Sequence, residues 1–152
     1  MKLAEALQLR SDVQKRIQQL RQRIALTARM QEGEQPAEDP NALLAEAAEL
    51  TDQLESLITG INRTNVRTEL EPGMTLTDAL ARRDVLHLRF SILVEAAGHA
   101  SVRQDRYSRS EVRFMTPLDV AALHRQADEL AKNARELDAK IQQANWNTDL
   151  EG

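Results

Sequence analysis

The stretch Ile61-Asn-Arg-Thr-Asn-Val-Arg-Thr-Glu-Leu-Glu-Pro-Gly-Met-Thr-Leu-Thr-Asp-Ala-Leu-Ala-Arg-Arg-Asp84 separates two long runs of helical pattern. It is polar and rich in turn formers. Glu71-Pro72-Gly73 is a turn signal, because Pro presets φ and Gly accepts a positive one. Thr75-Leu-Thr-Asp78 has the spacing of a capping box, in which hydroxyl and carboxylate satisfy free backbone N–H groups at a helix start. A helix is therefore expected from Leu76. Residues 62–75 become a connector between an N-terminal helical hairpin, 1–61, and a C-terminal one, 76–152. The expected fold is all-α: one domain of four long helices, arranged as two antiparallel coiled-coil-like hairpins in a bundle.

Working towards the N-terminus, Leu43, Ala47, Leu50, Leu54, Leu57 and Ile61 recur three and four apart, the seam of a packed helix over about 41–61. Its charges, Glu46, Glu49, Asp52 and Glu55, are all acidic. The preceding helix, 3–30, carries the seam Val13, Ile17, Leu20 and Ile24, and is rich in Lys and Arg. Gln31–Pro40, with Gly33, Pro36 and Pro40, is the turn between them. A basic helix beside an acidic one reads as an antiparallel pair whose apolar seam stabilises it and whose charges select the partner.

Working towards the C-terminus, helix three is expected over 76–101. Val85–Ala97 is apolar nearly all round, which predicts the most buried helix of the fold. Thr116, Pro117 and Asp119 read as the start of helix four, with Met115 and Val120 placed for a hydrophobic staple. Val120, Leu123, Ala127, Leu130, Ala134, Leu137, Ile141 and Ala144 continue its seam, and Trp146 is expected to fold back as a packing anchor. Val66–Leu70 alternates weakly, as do Val112 and Phe114. A small two-stranded β element pairing 66–70 with 110–115 is the reading.

Composition narrows the function. Aromatic residues make up 3% of the 152 residues, which suits helices packed through Leu, Ile, Val and Ala. The net charge of −4 provides no general attraction to nucleic acid or anionic membrane. Absence of cysteine excludes disulfides and thiolate metal sites. Charges at Lys2, Glu5 and Arg10 interrupt any signal-peptide core, and no apolar run approaches the roughly 20 residues of a transmembrane helix. A cytoplasmic protein is expected.

Arg103, Arg106 and Arg109 recur every third residue around Tyr107. With Arg63, Arg82 and Arg83, and with Asn62 and Asn65 to orient a ligand, they make a candidate anion site. Arg offers a planar fork matched to phosphate oxygens, so a small anion or nucleic acid is the partner this reading implies. The competing reading is that the arginines pair with Asp84, Asp105, Glu111 and the acidic second helix. Asp84 with His87 and Glu95 with His99 share helix faces, yet no Glu-x-x-His motif of a di-iron bundle occurs. No metal or other cofactor is expected. No nucleophile elbow or phosphate-binding glycine loop occurs either, so the reading leans away from an enzyme. Helices approaching 30 residues span about 40 Å, longer than a compact four-helix core requires. A homo-oligomer joined through heptad seams is expected.

The chain also resembles a bacterial family of unknown function labelled septicolysin-like. The resemblance rests on Met1–Leu7, Glu32–Pro40, Ile61–Asn65, Leu76–Asp84, Arg103–Glu111 and Asp119–Leu123 onward to Asn145-Trp146. The label implies a cytolysin. It carries no catalytic or binding residues across.

Overall fold

The computed structural model describes residues 1–101 and 114–152. Four helices and a two-stranded sheet follow one another: α1 Leu3–Thr27, α2 Pro40–Arg67, β1 Glu69–Glu71, β2 Met74–Thr75, α3 Leu76–Ala100 and α4 Val120–Asn147. The all-α class with a minor β element is thus as read from the sequence. Contacts divide the chain into two compact units. One is Met1–Glu69 with Gln142–Gly152, and the other is Leu70–Ile141.

In the first unit α1 packs along α2. Val13 and Leu20 of α1 and Leu43, Leu50, Leu57 and Ile61 of α2 are buried, the seams expected from their spacing. Arg16 pairs with Glu46 at 3.1 Å, and Arg23 with Glu38, so basic α1 meets acidic partners on and before α2. These pairs are exposed, and each contributes about 0.2–1 kcal/mol at most. Asp39 caps α2, its carboxylate accepting from the Asn41 N–H at 2.9 Å, and Pro40 takes the first helical position, where a missing N–H costs nothing.

A C-terminal strap closes this unit. The Leu3 N–H donates to the Thr148 carbonyl and the Leu150 N–H to the Met1 carbonyl, both at 2.9 Å. The Glu151 N–H donates to the buried Thr64 hydroxyl at 2.9 Å, which itself donates to the Gly60 carbonyl at 2.8 Å. Gly60 is needed there: a Cβ would stand 2.9 Å from the Glu151 carbonyl oxygen.

Three expectations about this region are corrected. Residues 62–67 are the last turns of α2, not a connector, because the Thr64 and Gly60 contacts to the strap reward continuing the helix. Val66 is helical and exposed, and β1 pairs with β2. Only Pro72 and Gly73 separate the two strands, so local pairing closes the smallest loop. Gly73 has φ +78, as a type II turn with Pro72 before it requires. Of the expected partner strand, 110–113 lie outside the described residues. Trp146 stays within α4 and is 58% exposed, so it anchors nothing in the described structure.

The second unit holds the β-hairpin from Leu70 onward, α3, and α4 as far as Ile141. The Thr75–Asp78 capping box forms as expected. The Thr75 N–H donates to Asp78 Oδ2 at 2.9 Å, and the Asp78 N–H donates to the Thr75 hydroxyl at 3.2 Å. The Thr75 hydroxyl also donates to Asp78 Oδ2 at 2.7 Å, and this bond, more than the one from the Thr75 N–H, holds the Asp78 carboxyl below its usual range. The cap of α4 is Asp119, accepting from the Ala122 N–H at 2.9 Å. Thr116 instead closes a turn by accepting from the Leu118 N–H at 3.1 Å. Met115 is exposed, so the expected staple does not form.

Candidate functional site

The middle of α3 is where the sequence reading and the structure diverge most. Far from being the most buried helix, α3 buries Leu76, Ala79, Ala97 and Ala100 near its two ends. Between them Val85, Leu88 and Ile92 are 47%, 58% and 55% exposed, and Phe90 and Val94 are exposed as well.

Helical geometry sorts these residues. At about 100° per residue two apolar stripes run along α3, on nearly opposite faces. The inner stripe is Leu76, Ala79, Leu86, Phe90, Leu93, Ala97 and Ala100. It includes every buried residue of the helix, and Arg83, which shares its register, reaches Asp138 of α4 at 3.6 Å. The outer stripe is Ala81, Val85, Leu88 and Ile92, and all four are exposed. A helix patterned on one face has one neighbour to cover; two stripes imply two. The sequence reading missed this because two overlapping heptad registers read together as an apolar helix.

Charges border the outer stripe asymmetrically. Arg82 and Arg89 lie along one edge, Asp84 and Glu95 along the other. The Asp84 carboxylate is 70% exposed, although Arg83 donates to it at 3.0 Å. Further apolar surface sits on the same unit at Phe114, Met115 and Leu118, all exposed. These three line a shallow cavity of about 470 Å³ with Ala96, His99 and Ala100.

Of the residues proposed from the sequence as an anion site, Asn62, Arg63, Asn65, Arg82 and Arg83 are among the described residues. Asn62, Arg63 and Asn65 lie on α2 in the first unit, and Arg63 Nη1 donates to the Gly152 carbonyl at 3.3 Å. Arg82 and Arg83 lie on α3 in the second unit. Arg83 is committed to Asp84 and Asp138. Arg82 lines a cavity of about 250 Å³ with Glu71, Met74, Leu86, Asn133, Glu136, Leu137 and Lys140. There Lys140 donates to Glu71. That bond, more than the accompanying charge of Lys140 and Arg82, holds the Glu71 carboxyl below its usual range. Arg103, Arg106, Tyr107 and Arg109 lie outside the described residues. Among the described residues, no three His, Asp or Glu side chains group as a metal site.

Residues 10–150 match a family described as "Family of unknown function (DUF6847)". The chain belongs to that family. It is also similar to a crystal structure of a functionally unknown conserved protein from Corynebacterium diphtheriae, with 44% identity and a TM-score of 0.94 over 99% of each chain. No curated protein matches. The family description names no activity, and neither match carries the septicolysin-like label. Among the described residues no helix is long and apolar enough to cross a membrane.

Proposed function

We propose that the protein is a non-enzymatic helical module that assembles with further copies of itself through the outer face of α3. The observation that supports this reading is the exposure of Val85, Leu88 and Ile92 in heptad register on a helix whose opposite stripe is the one buried at both ends. Isolated exposed apolar residues are ordinary, whereas a patterned stripe on one helix face marks an interaction surface. Magnitudes favour a reversible contact. Each half-exposed side chain retains roughly half of the ~1.5–3 kcal/mol that full burial contributes. Three per copy over two copies contribute ~5–9 kcal/mol, against an association cost of ~4–15 kcal/mol. Phe114, Met115 and Leu118 add to the favourable side if the contact extends to them.

Sedimentation velocity across micromolar concentrations tests the reading. The expected result is a mass above one chain that falls to a monomer in Leu88→Asp/Ile92→Asp, with helicity unchanged. A wild-type monomer throughout overturns it. The cytolysin reading implied by the resemblance would turn the same face towards lipid. Dye release from liposomes by the wild-type protein, lost in the same variant, would replace the second copy with a bilayer as the occupant.

A further inference from the structure

The composition of the outer stripe specifies how two copies would meet, and this step rests on the self-assembly reading above. In heptad terms Val85 and Ile92 take a positions, while Ala81 and Leu88 take d positions. β-Branched residues at a with Leu at d favour two parallel strands, because each side chain then enters the partner's surface at its preferred packing angle. Asp84 occupies the g position before Val85, and Arg89 the e position after Leu88. In a parallel pair, g of one helix faces the next e of the other, five residues further on. Asp84 therefore meets Arg89 of the second copy, twice by symmetry. An antiparallel pair brings like edges together instead, acidic against acidic and basic against basic. Charge complementarity thus selects both a second copy as the occupant and the parallel direction.

We infer that two copies associate as a short parallel two-stranded coiled coil of α3 helices over Ala81–Ile92, its direction and register set by reciprocal Asp84–Arg89 pairs. The seam ends where Glu95 and His99 take the next d and a positions, so the contact spans under two heptads. That brevity fits reversible association. Arg83 takes an f position in this register and remains free to hold Asp138 of its own chain. The a and d side chains are all outside the chain's own buried set, so pairing requires no unfolding.

Two measurements test direction and register. The chain has no cysteine, so Val85→Cys introduces one thiol per copy. The expected result under mild oxidation is a disulfide-linked dimer from Val85→Cys and none from an Ala139→Cys control, an exposed position on α4. In sedimentation, Asp84→Arg and Arg89→Asp are each expected to weaken association about tenfold, since like charges then face each other at both e–g contacts. The double swap is expected to return it to within about twofold of wild type. A dimer that forms without a Val85 cross-link, or that ignores both charge reversals, overturns the parallel pairing while leaving self-assembly standing. A monomeric wild-type chain removes both.

Discussion

The α2 seam and the outer stripe of α3 carry the same pattern and meet opposite fates. Leu50, Leu57 and Ile61 recur at heptad spacing and are at most 6% exposed. Val85, Leu88 and Ile92 recur at the same spacing and are about half exposed. Periodicity establishes which side chains share a face, while burial depends on whether a neighbour is present to cover it. On α2 the neighbour is α1. For the outer stripe of α3 no such neighbour exists among the described residues of the chain.

The sharpest way to test this contrast is a matched truncation. Ile61→Ala, at a position 1% exposed, is expected to cost about 2–5 kcal/mol of unfolding free energy. Ile92→Ala is expected to stay within about 0.5 kcal/mol when measured on the monomer by denaturant titration. Equal losses at the two sites would mean that α3 is already covered under the conditions of measurement, and dilution would then separate them.

Thr64 adds a polar counterpart. Thr64→Val keeps the shape but removes the oxygen that accepts from the Glu151 N–H. A loss of about 1–3 kcal/mol is expected, with faster amide exchange at Glu151. No change in exchange would show that the strap is held by its other bonds to Met1 and Leu3. At the start of α3, Thr75→Ala removes a capping box that is exposed and local, and about 1 kcal/mol is expected from thermal unfolding.

The smallest effect separates the ion pairs of the two units. Lys2 with Asp149 in the first unit and Lys140 with Glu71 in the second each depress a carboxyl pKa, chiefly through the direct hydrogen bond. A depressed folded-state pKa contributes stability that is present above the ordinary carboxylate range and lost as pH falls through the depressed value. Both pairs are solvent-exposed, so the change in stability is small. Carboxyl titration followed by NMR is expected to show Glu71 moving up towards its ordinary range in Lys140→Met, with Asp149 unaffected. An unmoved Glu71 would assign its shift to Arg82 instead.

Much of the architecture was legible in the sequence because it is encoded locally. Seams spaced three and four apart marked the helices, Thr75 and Asp78 marked the start of α3, and the opposite charges of α1 and α2 marked them as a pair. The end of α2 was not legible, since Asn62, Thr64, Asn65 and Val66 are poor helix formers. Their helicity is supported from far along the chain, by Glu151 on Thr64. The β-hairpin was misassigned because Glu69–Glu71 and Met74–Thr75 are too short to show alternation. Of the candidate site, Arg82 and Arg83 were correctly placed on α3. Their division of labour, with Arg83 bound to Asp138 and Arg82 beside a Glu71 already held by Lys140, depends on Asp138 and Lys140, more than fifty positions away.

The sequence by itself determined the helical class, the hairpin pairing of α1 with α2 and the capped start of α3. Each depends on interactions between near neighbours or on periodicity along one helix. Only the tertiary structure decided which apolar stripe of α3 is covered, since burial is a property of a face and the neighbour opposite it. That decision turns a helix that reads as core into one with an exposed apolar stripe along its middle.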